Sequence, residues 1–167
     1  FKGSTKHRNI PQELSEHGAN PNGTTAFDRT NYFETFQATD ENLDWALALE
    51  SDRMVNSFIA KKDLDSEMTV VRNEFEIGEN NPRRALFKAT AATAIQAHPY
   101  HWSTIGYRSD IEGVTTEKLR EHYKAYFHPD NAEAILAGDF DTEAALALFD
   151  REFGGFPRAP QPIPKVI

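Results

Sequence analysis

The sequence predicts an α+β domain in which a mixed, mainly antiparallel sheet packs against helices. Its 167 residues are 39% hydrophobic and 26% charged, which is typical of a globular chain long enough to bury a core. Two runs rich in Thr, Tyr and Phe come early and are predicted to be strands. Several helical patterns follow, and an apolar strand and a helix come last. This order of elements is typical of the α+β class.

The first part of the chain predicts a short helix and a hairpin. Residues 11–17 form the helix, with Pro tolerated in its first turn and Gly18 at its end. Residues 23–27 and 30–39 are strands joined near Asp28. The second strand alternates with a period of two, and one face carries Tyr32, Glu34, Phe36 and Ala38.

Three helical patterns occupy the middle of the chain. The first starts at a Thr39 or Asp40 cap and runs to about Phe58. Residues 61–80 form the second helix, and residues 82–96 form a third with small side chains on one face. The apolar stripe of the first helix is Leu43, Leu47, Met54 and Phe58.

The last part of the chain alternates loop, helix and strand. Residues 98–113 are rich in loop formers, and a Thr115 cap starts a helix that reaches about Phe127. Residues 132–137 are predicted to be a short central strand. A final helix, capped by Asp141 or Thr142, reaches Phe153. The four prolines of residues 157–167 predict an interdomain linker after a domain of residues 1–156.

Charge and composition exclude several function classes. The net charge of -8 and the lack of a basic stripe argue against a nucleic-acid partner. The absence of cysteine excludes disulfides and thiolate metal sites. No apolar run approaches a membrane span, and the first residues do not resemble a signal peptide. Because the chain opens with Phe1 in loop-like sequence, we expect a fragment or a processed product.

The helix of residues 61–80 holds the best candidates for chemistry. Its apolar residues recur at spacings of 4, 3 and 4, which predicts one buried stripe. Glu67 and Glu74 are seven residues apart and fall on one flank of that stripe, and Gly78 is predicted to end the helix. Such carboxylates usually form a solvated face. The alternative is a metal ligand with a second carboxylate behind it.

Other catalytic motifs are absent from the sequence. The six histidines form neither H-E-x-x-H nor H-x-x-E-H. His98 and His101 are three residues apart, but Pro99 keeps them off a regular helix, which favours loop hydrogen bonds over zinc. No G-x-S-x-G elbow or phosphate loop occurs. Acid–base catalysis by Glu67 and Glu74, as in glycosidases, stays an open alternative. Two positions on one helix match this function poorly, because such carboxylates usually face each other across a cleft.

Six stretches of the chain occur in an order that a known family shares. They are FKGS, NGTTAFDRTNYF, ESDRM, EMTVVRNEF, HPYHWSTIG and YKAYFHPDNAEAILAGDF. Each is similar to a landmark of the pitrilysin/insulinase family of zinc metallopeptidases, the inverted zincins. FKGS resembles the F-K-G-T turn that follows the H-x-x-E-H helix, and EMTVVRNEF resembles the E-x-x-x-V-x-x-E helix. The resemblance covers nearly the whole chain.

The resemblance implies a role for each glutamate. It makes Glu74 the third zinc ligand and Glu67 the supporting acidic residue of the catalytic site. Two imidazoles and one carboxylate leave a fourth zinc position for an activated water. The H-x-x-E-H segment that supplies the imidazoles and the catalytic base would lie just before Phe1. We therefore expect this chain, as supplied, to lack zinc and peptidase activity.

The resemblance also implies how substrate binds. Asn22, Gly23, Thr24, Thr25 and Ala26 would belong to the family's edge strand next to the metal, and a short or unfolded peptide would add to it as a further strand. The alternative is an ordinary hairpin strand. Gly23 stands where the family usually has Ala, which adds backbone freedom at the proposed edge.

Partners and compartment follow from the resemblance alone. The expected partners are a peptide substrate and a C-terminal half-clamp domain, from the same protein or from a partner subunit, with no nucleic acid. The expected compartment is the periplasm or cell envelope of a Gram-negative bacterium, with the cytoplasm as the alternative. Two rival functions stay open: a non-catalytic homologue that forms a chamber wall or binding subunit, and an unrelated α+β interaction domain with an acidic helix.

Overall fold

A computed structural model describes residues 1–163, and these divide into two compact units. The first unit contains residues 1–23, 32–59 and 120–163, and the second contains residues 24–31 and 60–119. Helices and a two-stranded antiparallel sheet confirm the α+β class. The elements are α1 (Ile10–Glu16), β1 (Asn20–Thr25), β2 (Thr30–Thr35), α2 (Asp40–Asn56), α3 (Lys61–Glu79), α4 (Pro82–Ala94), α5 (Arg108–Gly113), α6 (Thr116–Tyr126) and α7 (Thr142–Phe153).

The core of the first unit lies between α1 and α2. Ile10 and Leu14 of α1 form a buried cluster with Leu49 of α2, and Trp45 packs against that cluster. Helix α7 packs against α2. The predicted stripe of α2 is wrong in part. Leu47 is buried and Leu43 and Met54 are half-buried, but Phe58 is 41% exposed, because α2 ends at Asn56 and Phe58 lies beyond the helix.

The hairpin of β1 and β2 is shorter than predicted at its far end. β2 ends at Thr35, and Thr39 is the N-cap of α2, where its hydroxyl accepts a hydrogen bond from the Asn42 N–H. β1 begins at Asn20 and includes Pro21, a residue tolerated only where a strand N–H is not needed for pairing.

The second unit is built on α3, which packs against α4 and α5. The predicted stripe of α3 turns toward these neighbours, although no residue of α3 is fully buried. The predicted end at Gly78 is wrong, because the helix continues to Glu79 and the Asn80 N–H donates to the Glu76 carbonyl. The members of the stripe, all half-buried, are Leu64, Met68, Val71 and Phe75.

Two further predictions are corrected. The segment 98–113, predicted as loop, contains a 3-10 turn, Pro99–His101, and helix α5. The segment 132–137 is not a strand. Ile135 in this segment is 84% exposed, and no part of residues 1–163 pairs with the segment in a sheet. Apolar composition favours a strand, but a strand exists only when a partner accepts its backbone hydrogen bonds.

The proline-rich tail is only partly covered by the structure. Residues 157–163 form no regular element, and the Ala159 N–H donates to the Asp130 carboxylate at 3.1 Å. The rest of the predicted linker, residues 164–167, lies outside the described residues. The domain boundary after residue 156 therefore stays a prediction. None of the helices within residues 1–163 has the length and apolar character needed to cross a membrane.

Candidate functional site

The two glutamates singled out by the sequence lie on the exposed side of α3. Both Glu67 and Glu74 are exposed, and they flank the half-buried stripe that holds the helix in the second unit. Seven residues of α-helix rise by about 10 Å. Carboxylates at that spacing do not bind the same ion directly, so at most one of the two could be a ligand of a given ion.

The described residues do not form a complete zinc site. Glu74 makes no hydrogen bond or ion pair within residues 1–163, so its carboxylate is available as a ligand. A catalytic zinc needs three protein ligands of the His, Cys, Asp or Glu type. Among residues 1–163, no three such side chains converge on one point. A complete site therefore requires ligands from outside the described part of the chain.

Strand β1 presents an open edge. All six of its residues are exposed, and it pairs on one side only, with β2. Within residues 1–163, its other side has no strand partner. Four of the proposed substrate-binding residues, Asn22 to Thr25, lie in β1. Ala26 lies in the following turn, where its N–H donates to the Arg29 carbonyl at 2.8 Å and is not free for a peptide.

The hydrogen bond of Ala26 indicates which main-chain groups face the open edge. Main-chain hydrogen bonding alternates along an antiparallel strand. The N–H and C=O groups of Thr24 and Asn22 therefore point toward β2, as those of Ala26 do. Thr25, Gly23 and Pro21 then face outward, and Pro21 fits this position because it has no N–H to donate. The Gly23 N–H is not available to a peptide, since it donates a hydrogen bond to the Asn22 Oδ1 at 2.8 Å. Among the described residues, Thr25 has no recorded partner for its outward N–H.

A buried ionic cluster in the first unit was not predicted. Arg53 of α2 pairs with Glu50 one turn earlier, and its Nη2 lies 3.2 Å from the Glu34 Oε1 of β2. The Arg53 guanidinium also lies 4.9 Å from the centre of the Tyr32 ring. Burial and the hydrogen bond and negative charge of Glu50 raise the pKa of Glu34 to about 8, against the opposing effect of Arg53.

Part of that cluster was visible in the sequence. The period-two pattern of β2 places Tyr32 and Glu34 on one face, as the structure shows by bringing both to Arg53. Burial also raises the pKa of the Tyr32 hydroxyl. The contact between Glu34 and Arg53 of α2 joins residues 19 positions apart in the chain, and no local sequence pattern predicts it. The cluster ties β2 to α2.

A second buried acid fixes the first residues of the chain. Asp52 is 2% exposed, and its carboxylate accepts hydrogen bonds from the Lys6 N–H at 2.7 Å and from the Asn56 amide at 2.7 Å. Burial alone would raise the pKa of Asp52, but these bonds and one from Ser4 lower it below the usual value. The FKGS turn is thereby attached to α2.

Five of the six histidines form hydrogen bonds, His122 makes ring contacts, and within residues 1–163 none belongs to a cluster of three potential metal ligands. His101 Nδ1 bonds to the His98 carbonyl at 2.9 Å, which confirms the prediction of loop hydrogen bonding for this pair. His128 Nε2 bonds to the Lys124 carbonyl at 2.6 Å near the end of α6, where a cation is favoured.

Two family profiles match the chain. Residues 1–107 match the profile described as insulinase (peptidase family M16), and residues 113–167 match the profile described as peptidase M16 inactive domain. Together the two matches cover almost the whole chain, and the first alone covers more than half of it.

Curated relatives are longer than this chain. It is 30% identical to a protein named zinc protease PqqE of Helicobacter pylori over 137 residues, which are 81% of this chain and 30% of the relative. It is 29% identical to a probable mitochondrial-processing peptidase subunit beta of Schizosaccharomyces pombe, over 92% of this chain and 34% of the relative. The chain thus spans about a third of each of these proteins.

Solved structures share the fold over the full chain. A protease from Helicobacter pylori superposes with a TM-score of 0.90 at 26% identity, covering 100% of this chain and 41% of that one. The first half of the periplasmic protease PqqL from Escherichia coli superposes with a TM-score of 0.87 at 20% identity, covering 100% of this chain and 37% of that one. At 20% identity the second likeness concerns the fold alone.

Proposed function

This chain belongs to the insulinase family of peptidases, peptidase family M16, and from that membership we propose that it is part of the catalytic domain of a zinc-dependent endopeptidase. The proposed substrates are short or unfolded peptides. The relatives of this chain are named zinc proteases and peptidase subunits, which supports a peptidase and a zinc cofactor for the whole protein.

The two glutamates of α3 receive separate roles in this proposal. Glu74 supplies the carboxylate ligand of a zinc that the longer protein holds, a role that its exposure and its lack of an internal partner support. Bound zinc would supply an activated water for peptide hydrolysis. Glu67, two helical turns earlier, is a supporting acid of the same catalytic site, and its distance of about 10 Å along the helix suits an indirect role.

One observation carries the substrate-binding proposal: β1 is exposed along its whole length and has an unpaired outer edge within residues 1–163. An extended peptide can add to such an edge through main-chain hydrogen bonds, which tolerate many side chains. Folded proteins offer few free extended segments, so this mode selects unfolded peptides. The outward groups of Thr25 and Gly23 would bind the peptide backbone.

The replacement Thr25→Pro tests the edge. It removes the outward N–H and leaves the pairing with β2, since Pro21 already occupies an equivalent outward position. We expect this chain to bind fluorescein-labelled casein, a disordered protein, about tenfold more weakly after the change, because one hydrogen bond is lost and a ring obstructs the edge. Fluorescence anisotropy measures the affinity.

Thr25→Val is the matched control for that experiment. It changes the side chain at the same position and keeps the N–H, so the affinity should stay within about twofold. Equal affinities of the Pro variant and the Val variant would reject the open edge of β1 as the binding site.

A partner domain and a compartment complete the proposal. The first half of PqqL shares this fold, and the chain covers 37% of that half, so we propose that a second half-domain, in the same protein or in a partner subunit, closes over the peptide. We also propose the periplasm or cell envelope as the compartment, the one in which that neighbour is described. Fractionation of cells that express the full-length protein tests this.

A non-catalytic binding subunit is the second candidate function. The match of residues 113–167 to the inactive-domain profile favours it, because that profile describes family domains without activity. Zinc content distinguishes the two functions. A zinc-free full-length protein that still binds casein through β1 would be a binding subunit.

A further inference from the structure

An aromatic side chain of the second unit contacts the hairpin turn. Tyr100 donates a hydrogen bond from its hydroxyl to the Asp28 carboxylate, and its ring stacks on Phe27 with 4.6 Å between ring centres and an angle of 18°. Asp28 and Phe27 are the two residues at the tip of the hairpin, between Ala26 and Arg29. Both the carboxylate and the ring of the turn are therefore bound to Tyr100.

This attachment is important for the turn end of the hairpin, because the cluster that ties β2 to α2 lies further along β2, at Tyr32 and Glu34. Every residue from Pro21 to Thr30 is exposed, so burial contributes little to holding the strand. An isolated two-stranded hairpin is only marginally stable in water. The order of the open edge near Thr25 thus depends on contacts made by the turn itself.

Tyr100 sits on a rigid support. It is the middle residue of the 3-10 turn Pro99–His101, which packs against α4. The His98 Nδ1 accepts a hydrogen bond from the Tyr100 N–H at 3.3 Å, and the His98 ring packs edge-on against the Tyr100 ring at 4.3 Å. Pro99 and the hydrogen bonds of His98 and His101 restrict the backbone of this turn. The position of the Tyr100 ring is therefore restricted independently of its contact with the hairpin.

We propose that Tyr100, acting through Asp28 and Phe27, is a positioning residue that holds the hairpin turn so that the outward main-chain groups of β1 are ordered for an incoming peptide. The inference rests on the proposed function, since it concerns the same edge. Tyr100 does not touch the peptide. It acts by keeping Ala26 paired with Arg29 and Thr25 directed outward. The hydrogen bond to Asp28 also raises the pKa of Tyr100, which keeps the phenol protonated as a donor.

Two variants separate the hydrogen bond from the ring stacking. Tyr100→Phe removes the hydroxyl and keeps the stack, and Asp28→Ala removes the acceptor. In each, we expect the Ala26 amide to exchange with solvent deuterium about 3- to 10-fold faster, the range for loss of one hydrogen bond. The double variant should match the single variants, because both remove the same interaction. Tyr107→Phe is the control, since Tyr107 is an exposed tyrosine of the same unit whose ring lies near Lys88.

The consequence for binding is measured on the same variants. The affinity of Tyr100→Phe for fluorescein-labelled casein should fall by the same 3- to 10-fold. In a full-length protein that carries this chain, KM should rise by that factor while kcat changes less than about twofold, because positioning affects binding and not the bond-breaking step. A general loss of stability would instead change the exchange of the buried Leu49 amide as well.

The outcomes distinguish this inference from the proposed function. Unchanged exchange at Ala26 in Tyr100→Phe overturns the inference. If Thr25→Pro weakens casein binding but Tyr100→Phe does not, the edge stays as the binding site and the positioning role is overturned. If neither variant weakens binding, the edge is not the site, and the proposed function and the inference are both overturned.

Discussion

Glu34 and Glu74 carry the same carboxyl group in opposite surroundings. Glu34 is buried between β2 and α2 and shares Arg53 with Glu50, while Glu74 is exposed on α3 without a partner in residues 1–163. Burial favours the neutral form of the first, whereas the second is solvated and free to bind a cation. The position of each residue in the fold therefore decides its chemistry.

The titration of Glu34 predicts that alkaline pH weakens the first unit. The ordinary pKa of a glutamate is about 4.3. In the folded protein it is raised to about 8, so folding favours the protonated form. The stabilisation is complete below about pH 4 and is lost as the pH rises through about 8. We expect a loss of order 2 kcal/mol in the free energy of unfolding, since Arg53 and relaxation reduce the full effect.

Glu34→Gln should remove most of this dependence, because glutamine imitates the neutral acid and does not titrate. Urea unfolding of the wild type and the Glu34 variant at pH 5.5 and pH 8.5 measures the change in the free energy of unfolding between the two pH values. Glu41→Gln, at an exposed position in the first turn of α2, is the control and should keep the wild-type difference. If the free energy of unfolding changes equally between the two pH values in the Glu34 variant and in the wild type, Glu34 is not the source of the pH dependence.

Glu74→Gln tests the proposed metal ligand in the full-length protein. An amide oxygen is a weaker zinc ligand than a carboxylate, so we expect most of the zinc and the activity to be lost, with the melting temperature of the zinc-free protein unchanged. Atomic absorption measures the zinc. Glu76→Gln changes an exposed acid two positions away on α3 and should keep the metal. Full zinc content in the Glu74 variant would reject the ligand assignment.

At the scale of elements, the start of the chain is held against α2 by close backbone contact. The Phe58 N–H donates to the Gly3 carbonyl at 3.0 Å, and Ser4 pairs with Ser57 in an isolated bridge. A Cβ atom at Gly3 would lie 2.5 Å from the Arg8 carbonyl oxygen. The turn thus requires glycine at position 3, because a larger residue would clash with the backbone of Arg8.

Gly3→Ala should therefore destabilise the first unit by about 1 to 3 kcal/mol, the usual cost of overpacking a tight site. Thermal or urea unfolding measures the change. Gly113→Ala is the control, because no atom lies within 4 Å of a Cβ placed there. A Gly3 variant as stable as the Gly113 variant would show that the turn can relax.

The sequence predicted elements where the signal is local. The cap at Thr39, the stripe of α3 and the Pro-initiated α4 all depend on residues a few positions apart, and the structure has each of them. Prediction from the sequence failed where the structure of a residue depends on contacts with residues that are distant in the chain. Residues 132–137 are apolar but unpaired, and the buried Asp52 and Arg53 owe their burial to groups outside their own helix. The proposed site residues are exposed, so the fold alone does not single them out.

At the scale of the whole molecule, the chain provides a part of a family protein. It spans about a third of each of the two curated relatives described above, and among its described residues no three potential metal ligands converge. We expect one zinc per molecule in a full-length protein that contains this chain, and none bound by the 167-residue chain alone. Metal analysis after dialysis measures both. Zinc bound tightly by the short chain would contradict the proposed ligand set.

An edge that accepts any extended peptide can also accept another copy of the same chain, which makes β1 a potential start of aggregation. Pro21 limits this risk, since it removes one donor from the outward row and interrupts a regular ladder between copies. Replacing Pro21 by threonine would therefore widen the range of partners and shorten the life of concentrated solutions. The proposed recognition of unfolded peptides and resistance to self-association would thus place opposing demands on the six exposed residues of β1.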